Sequence, residues 1–255
     1  MSQSRSFRSR VLAGEWLCGS FINLGSSLTA EIAARAGFDW LMLDYEHGPG
    51  SEETLLHQLQ AVSASGVATI VRIADNEAPR FKRALDLGSD GVMVPYIGSE
   101  GEARAAVAAV RYPPYGIRGV SKFNRAAGFG QAFDDYYQHA HERLVTMAQI
   151  ETPESLERLD SIAGVDGVDV LFVGPLDLTT NLGIQGQFDH PTFVAARREV
   201  AGAAKRAGKA AGILATAAAQ IPVLRSEGYT VIAFGSDGGA VTAGLAQSLA
   251  ALRAG

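Results

Sequence analysis

The chain is short of several things at once. It has a single cysteine, Cys18, so no internal disulfide can form and a disulfide-stapled secreted scaffold is excluded. Only 19% of its 255 residues are charged, too few for a coiled coil, while 47% are hydrophobic, too many for an intrinsically disordered chain. No apolar run reaches the roughly 18 residues that a membrane span needs. The first ten residues carry positive charge with no apolar stretch behind them, so no signal peptide is expected. The net charge is -5, without a basic patch that would call for nucleic acid. No G-x-G-x-x-G follows the first apolar run, and no P-loop, Ser-His-Asp set or zinc-type Cys/His spacing is present. The composition therefore reads as a soluble, cytoplasmic chain with neither a membrane nor a nucleic acid as partner.

What is present is a rhythm. Eight short apolar runs recur: Trp16 to Phe21, Trp40 to Leu43, Ala68 to Val71, Gly91 to Val94, Val145 to Ile150, Val170 to Val173, Ala210 to Leu214 and Thr230 to Phe234. They are continuous rather than alternating, the pattern of parallel strands buried on both faces. Between them lie stretches of helical period, several closed by a glycine: Leu28 to Ala36, Glu52 to Ala64, Ala78 to Leu87, Glu100 to Val110, Pro153 to Ile162, Pro191 to Ala207 and Ala217 to Glu227. Strand-helix alternation predicts right-handed parallel crossovers, and eight repeats over this length predict an α/β fold, a (β/α)8 barrel in one domain spanning 1–255. A doubly wound open sheet is the alternative.

One segment breaks the rhythm. About fifty residues separate the fourth and fifth runs. They hold a long loop, 112–131, and a short helix expected over Ala132 to Arg143. Loops longer than roughly 12 to 15 residues are usually functional or disordered. With Arg118, Lys122, Asn124 and Arg125, this one reads as a site or interface loop.

In a barrel the chemistry gathers at the C-terminal ends of the strands, so the polar residues that follow each run are the candidates. Glu151 and Asp177 lie 26 residues apart, one βα unit, which puts two carboxylates on neighbouring strand ends. Beside Gln149 they suit a hard divalent metal such as Mg2+ or Mn2+; capping of the following helices is the alternative. Asp44, Glu46 and His47 cluster after the second run, where a carboxylate can set the tautomer of an imidazole that moves protons. The other four histidines fall in helix or loop contexts. Arg72 ends the third run and points into the mouth, ready for a carboxylate or a developing oxyanion; an ion pair with Asp44 or Glu46 is the other role, and the two can coexist. Gly174-Pro175-Leu176-Asp177 and Gly235-Ser236-Asp237-Gly238-Gly239 are turns that can offer backbone N–H groups to an anion. Lysine occurs only at 82, 122, 205 and 209, never directly after a run. That argues against a Schiff base and towards metal-assisted chemistry, with Lys122 the one loophole. Cys18, inside the first run, reads as a core thiol.

These residues resemble the HpcH/HpaI aldolase family. The likeness is carried by Phe38-Asp39-Trp40-Leu41-Met42-Leu43-Asp44-Tyr45-Glu46-His47-Gly48-Pro49, by Gly91-Val92-Met93-Val94-Pro95, by Arg111 to Gly119, by Gln149-Ile150-Glu151-Thr152 and by Gly167 to Leu178, in order. It implies a barrel of the phosphoenolpyruvate/pyruvate type and a class II pyruvate aldolase that cleaves a 4-hydroxy-2-oxo acid reversibly to pyruvate and an aldehyde. It implies Glu151 and Asp177 as ligands of Mg2+, Mn2+ or Co2+, and His47, backed by Asp44, as the group handling the aldol hydroxyl proton through water. It implies Arg72 on the pyruvyl oxygen, with Gln149, Gly174, Pro175, Leu176 and Leu214 lining the substrate. Tyr45 is a candidate for the aldehyde side. The resemblance also implies a homo-oligomer, a hexamer or trimer of dimers, in which a C-terminal helix over 238–252 is exchanged between subunits. A citrate-lyase-β-like lyase acting on a CoA thioester, and a non-catalytic oxo-acid-binding barrel, are the competing readings.

Overall fold

Eight parallel strands pair strictly in sequence order and close into a barrel, the last strand on the first. The structure, a computed structural model, describes residues 6–254. The first five residues of the stretch read as leaderless lie outside them. The elements run α1 (Phe7–Leu12), β1 (Leu17–Ile22), α2 (Ser27–Arg35), β2 (Trp40–Asp44), α3 (Glu52–Val62), β3 (Ala68–Arg72), α4 (Ala78–Asp86), β4 (Gly91–Val94), α5 (Glu100–Val110), α6 (Phe133–Arg143) and β5 (Val145–Ile150). They continue with α7 (Pro153–Glu157), α8 (Leu159–Ala163), β6 (Val170–Val173), α9 (Pro175–Asn181), α10 (Pro191–Arg206), β7 (Ala210–Ala215), α11 (Ile221–Ser226), β8 (Tyr229–Ser236) and α12 (Asp237–Ala254). The fold is the expected (β/α)8 barrel, and each expected strand is found to within two residues. The helices α1 and α9 were not foreseen. The single helix expected over Pro153 to Ile162 is broken in two at Arg158, whose backbone is not helical.

Two apolar layers hold the barrel together. Inside it, Leu17, Trp40, Met42, Ile70, Met93, Met147, Phe172 and Val231 fill the lumen, with Phe7 of α1 packed beneath Trp40. Outside it, the second face of each strand packs on the helices, through residues such as Leu41, Leu43, Val92, Leu171, Phe81 and Val200. Trp40 fits the lumen because position 19 on the neighbouring strand is glycine: a β-carbon there would stand 2.2 Å from the indole ring. The helices start where short polar side chains cap them: Ser26, Ser51 and Ser99 each accept an N–H of the first turn, and Thr152 and Ser155 form a reciprocal capping box.

The long loop 112–131, expected to serve a site or an interface, does not serve the site of its own barrel. It follows helix α5 and leads back towards β5, so it belongs to the N-terminal rim, opposite the strand ends where chemistry gathers. Arg118 is buried there, paired with Asp86 at 2.7 Å and stacked over the rings of Tyr112 and Tyr136 at 4.5 and 5.5 Å. Arg125 donates to the carbonyls of Leu87 and Leu59. Both arginines tie the loop down and neither reaches the catalytic mouth of its own barrel. Cys18 is also corrected. Its neighbours Leu17 and Gly19 are buried, but its own side chain is exposed on the outer face of β1.

Candidate active site

Asp44 and Arg72 are the last residues of β2 and β3 and stand directly opposite in the strand register. That register, rather than any local turn, makes them partners. Arg72 donates from Nε and Nη2 to the two Asp44 oxygens at 3.0 and 2.7 Å, a largely buried bidentate pair. Its Nη1 lies 3.1 Å from Glu46 Oε2, and the guanidinium carbon sits 5.3 Å from the Phe21 ring centroid. Burial works to raise the Asp44 pKa, but the Arg72 hydrogen bonds and charge outweigh it and hold it below the ordinary carboxylate value. On Arg72 burial opposes the charged form, and Asp44 and Glu46 more than restore it, so it stays a cation.

Asp44 Oδ1 also accepts the backbone N–H groups of Glu46 and His47, closing a tight turn that ends at Gly48. Any β-carbon at position 48 would meet the Asp44 carbonyl oxygen at 2.2 Å. The turn leaves the His47 ring at the rim, 64% exposed, with Glu46 Oε2 3.9 Å from its Nε2. Asp44 therefore holds the backbone of His47 and not its ring; the acid beside the imidazole is Glu46, whose pKa burial raises. Tyr45 turns away altogether, donating to Gln58 of α3 at 2.7 Å, so it does not face the mouth as expected.

Across the opening, Glu151 is almost fully buried at the end of β5. Its Oε1 accepts the backbone N–H of Tyr96 at 2.7 Å and its Oε2 a short hydrogen bond from Gln149 Nε2. Thr152, not Glu151, caps the following helix, so the Glu151 carboxylate is left to the site. Burial, aided by the charges of Asp177 and Glu46 and opposed by the Tyr96 N–H and Arg72, pushes its pKa up to about 7. Position 174 is glycine because a β-carbon would stand 2.6 Å from Glu151 Oε2 and 2.7 Å from Gln149 Nε2. Asp177 lies in the first turn of α9, where no side chain makes a cap hydrogen bond, and accepts from the Tyr96 hydroxyl at 3.4 Å.

These groups surround one cavity of about 780 Å3, lined by Asp44, His47, Arg72, Gln149, Gly174, Pro175, Leu176, Asp177 and Leu214 of the expected set. Glu151 stands just behind it, bonded to Gln149. Apolar walls come from Phe21, Phe172, Phe188 and Phe234, and Asn23, Thr216 and Ser236 complete the rim. Sequence reading missed Tyr96, which is separated from its strand by Pro95, and the phenylalanines, which look like core residues in any apolar run. The turn Gly235 to Gly239 borders the cavity, but Asp237 is buried outside its lining, accepting from the backbone N–H groups of Asn23 and Leu24 and the Thr29 hydroxyl. Among the described residues no group of three or more His, Cys, Asp or Glu is placed to hold a metal. Glu151 and Asp177 offer two hard oxygen donors, and a hydrated or substrate-chelated cation needs no more.

Residues 17–243 match the profile of the HpcH/HpaI aldolase/citrate lyase family. A pyruvate aldolase of Rhizobium etli is 47% identical over 208 residues, covering 82% of each chain. A 5-keto-4-deoxy-D-glucarate aldolase of Salmonella paratyphi C is 40% identical over 237 residues, 93% of this chain and 92% of its own. The crystal structure of an HpcH/HpaI aldolase/citrate lyase family protein from Burkholderia cenocepacia superposes with a TM-score of 0.92 at 36% identity, covering 96% of this chain and 98% of that one. With the barrel, the ordered motifs and these likenesses in agreement, the chain belongs to the HpcH/HpaI aldolase/citrate lyase family.

Proposed function

We propose that this aldolase cleaves a 4-hydroxy-2-oxo acid reversibly to pyruvate and an aldehyde, with a divalent metal (Mg2+, Mn2+ or Co2+) as cofactor. The observation that carries the reading is the convergence of a buried arginine, two carboxylates, an amide and an exposed imidazole on one cavity at the strand ends. Glu151 and Asp177 are the residues that would hold the metal. They fit it by chemistry: both are hard oxygen donors, and the Glu151 carboxylate is buried without an arginine or lysine among the described residues hydrogen-bonded to it. When bound, such a metal supplies Lewis-acid polarisation of the keto group of the oxo acid.

The chain's own residues do the rest. Arg72 is held rigid by Asp44, which uses two of the five guanidinium N–H donors and leaves others for the substrate oxygen that gains charge as the carbon-carbon bond breaks. His47 takes the C4 hydroxyl proton through water in cleavage and returns it in synthesis; its exposed ring reaches solvent, with Glu46 Oε2 3.9 Å from its Nε2. Gln149 presents its amide, and Gly174, Pro175, Leu176 and Leu214 wall the substrate against water. Among the described residues Arg72 is the only Arg or Lys in the cavity lining, which does not favour a CoA thioester with its nucleotide phosphates.

We also infer a homo-oligomer in the cytoplasm. Helix α12 extends for 18 residues with only Asp237 buried, and Val241, Leu245, Leu249 and Leu252 are exposed on it. A contiguous apolar stripe of this kind needs a partner surface, and a second copy of the chain supplies one, in line with the exchanged helix expected over 238–252. Among the described residues no helix is long and apolar enough to cross a membrane.

The test is a lactate-dehydrogenase-coupled screen for pyruvate release from a panel of 4-hydroxy-2-oxo acids. EDTA is expected to abolish release, and Mg2+, Mn2+ or Co2+ to restore it. His47→Ala is expected to bind Mn2+ as wild type does while losing about 10^2- to 10^4-fold in turnover. Failure of every 4-hydroxy-2-oxo acid to yield pyruvate, or full activity in excess EDTA, overturns the reading.

A further inference from the structure

Tyr96 is oddly placed for a tyrosine. It follows β4 and Pro95, and its backbone lies in the left-handed region, at φ 52°. Glycine adopts that conformation freely, whereas residues with a β-carbon do so uncommonly, and their strain collects at functional sites. Apolar burial does not account for it either, because the residue is 49% exposed. What the conformation achieves is geometric. It aims the Tyr96 N–H at Glu151 Oε1, 2.7 Å away, and sends the ring across the mouth until the hydroxyl lies 3.4 Å from Asp177 Oδ1. Glycine would serve the N–H contact without strain. Only a side chain with a donor at its far end serves the second contact as well.

We propose that Tyr96 is a positioning residue that spans Glu151 and Asp177 and fixes the separation and orientation of the two carboxylates for a divalent cation. The proposal rests on the reading of those carboxylates as the metal site. Partners that orient the ligands of a metal are worth about 10- to 100-fold in affinity where they have been removed. The Tyr96 hydroxyl contact is at the long end of the hydrogen-bond range, so an effect near the lower bound is expected.

The experiment is Mn2+ titration of the full-length protein, without substrate, read from the electron paramagnetic resonance of free Mn2+, for wild type, Tyr96→Phe, Tyr96→Gly and Asp177→Ala. Circular dichroism melting without metal reports whether each variant folds. Tyr96→Phe keeps the ring and the backbone and removes only the donor, and it is expected to weaken Mn2+ binding by about 10-fold. Tyr96→Gly is expected to bind as weakly as Tyr96→Phe while melting no lower than wild type, because it relieves the left-handed strain. Asp177→Ala is expected to lose Mn2+ binding. Tyr96→Phe within about threefold of wild type overturns the role of Tyr96, and Asp177→Ala then tells the two failures apart. If Asp177→Ala loses the metal, the metal site stands without Tyr96; if it binds as tightly as wild type, the metal assignment falls and the role of Tyr96 with it.

Discussion

Asp44 commits both carboxylate oxygens, to Arg72 and to the N–H groups of the turn that carries His47. One side chain thus sets an electrophilic arginine and the approach of an imidazole. Its pKa is lower in the folded chain than in the unfolded one, so the folded state binds its proton less readily. The stability contributed by this ion pair is therefore fully present above the ordinary aspartate pKa of about 3.9 and is lost as pH falls through the lower folded value. Asp44→Asn is expected to cost about 3 to 5 kcal/mol at pH 7, because it leaves a buried guanidinium with Glu46 as its one remaining ion-pair partner among the described residues. Its thermal midpoint should also change less than that of wild type between pH 5 and 3. A melting series over that range checks both, and parallel curves for the two proteins would show that the pair does not titrate as described. The pairing itself was one of two roles open for Arg72 in the sequence, and both are compatible with the geometry found. That Asp44 would serve the backbone of His47 rather than its ring was not legible. Residues 44 to 47 are adjacent in any reading, and only the folded turn decides which atom meets which.

At the scale of elements, the placement of a segment before or after a helix decides its role. The loop 112–131 drew attention by its length and its arginines. Yet it follows α5 rather than β4, and everything on that side of the barrel lies away from the mouth. That much could be deduced from the order of elements alone, and two of its basic residues, Arg118 and Arg125, tie the loop down. Helix α12 teaches the reverse. Its exchange between subunits was expected from the family resemblance alone, and the chain's own barrel leaves its apolar residues bare. Leu245→Glu with Leu249→Glu is expected to leave the barrel folded and to shift the sedimentation coefficient of the wild-type oligomer to that of a smaller species. A wild-type protein that sediments as a monomer, or a double variant that keeps the wild-type mass, removes α12 from the assembly.

The whole molecule depends on filling a closed lumen with residues of unequal size. Gly19 yields to Trp40, and Gly212 yields to Phe172, whose ring would stand 2.5 Å from a β-carbon there. Gly19→Ala is expected to destabilise the barrel by about 1 to 3 kcal/mol through overpacking, lowering the urea midpoint. An unchanged midpoint would mean that the indole moves aside. Much of this architecture is written locally. Gly37, Gly88 and Gly167 each take a positive φ before a strand, and two residues on Asp39, Asp90 and Asp169 each accept a backbone N–H from the preceding strand, at Cys18, Thr69 and Thr146. This Gly-x-Asp repeat, the eight apolar runs and the ordered polar residues after them were determined by the sequence itself, because strand period, helix closure and the strand-end location of chemistry are local or topological properties. The tertiary structure alone decided the rest. Closure of the sheet brought Arg72 onto Asp44 by register, carried Tyr96 over to Glu151 and Asp177, turned Tyr45 away and left Cys18 and α12 uncovered. Each of those outcomes depends on distances between residues far apart in the chain, which no local pattern encodes.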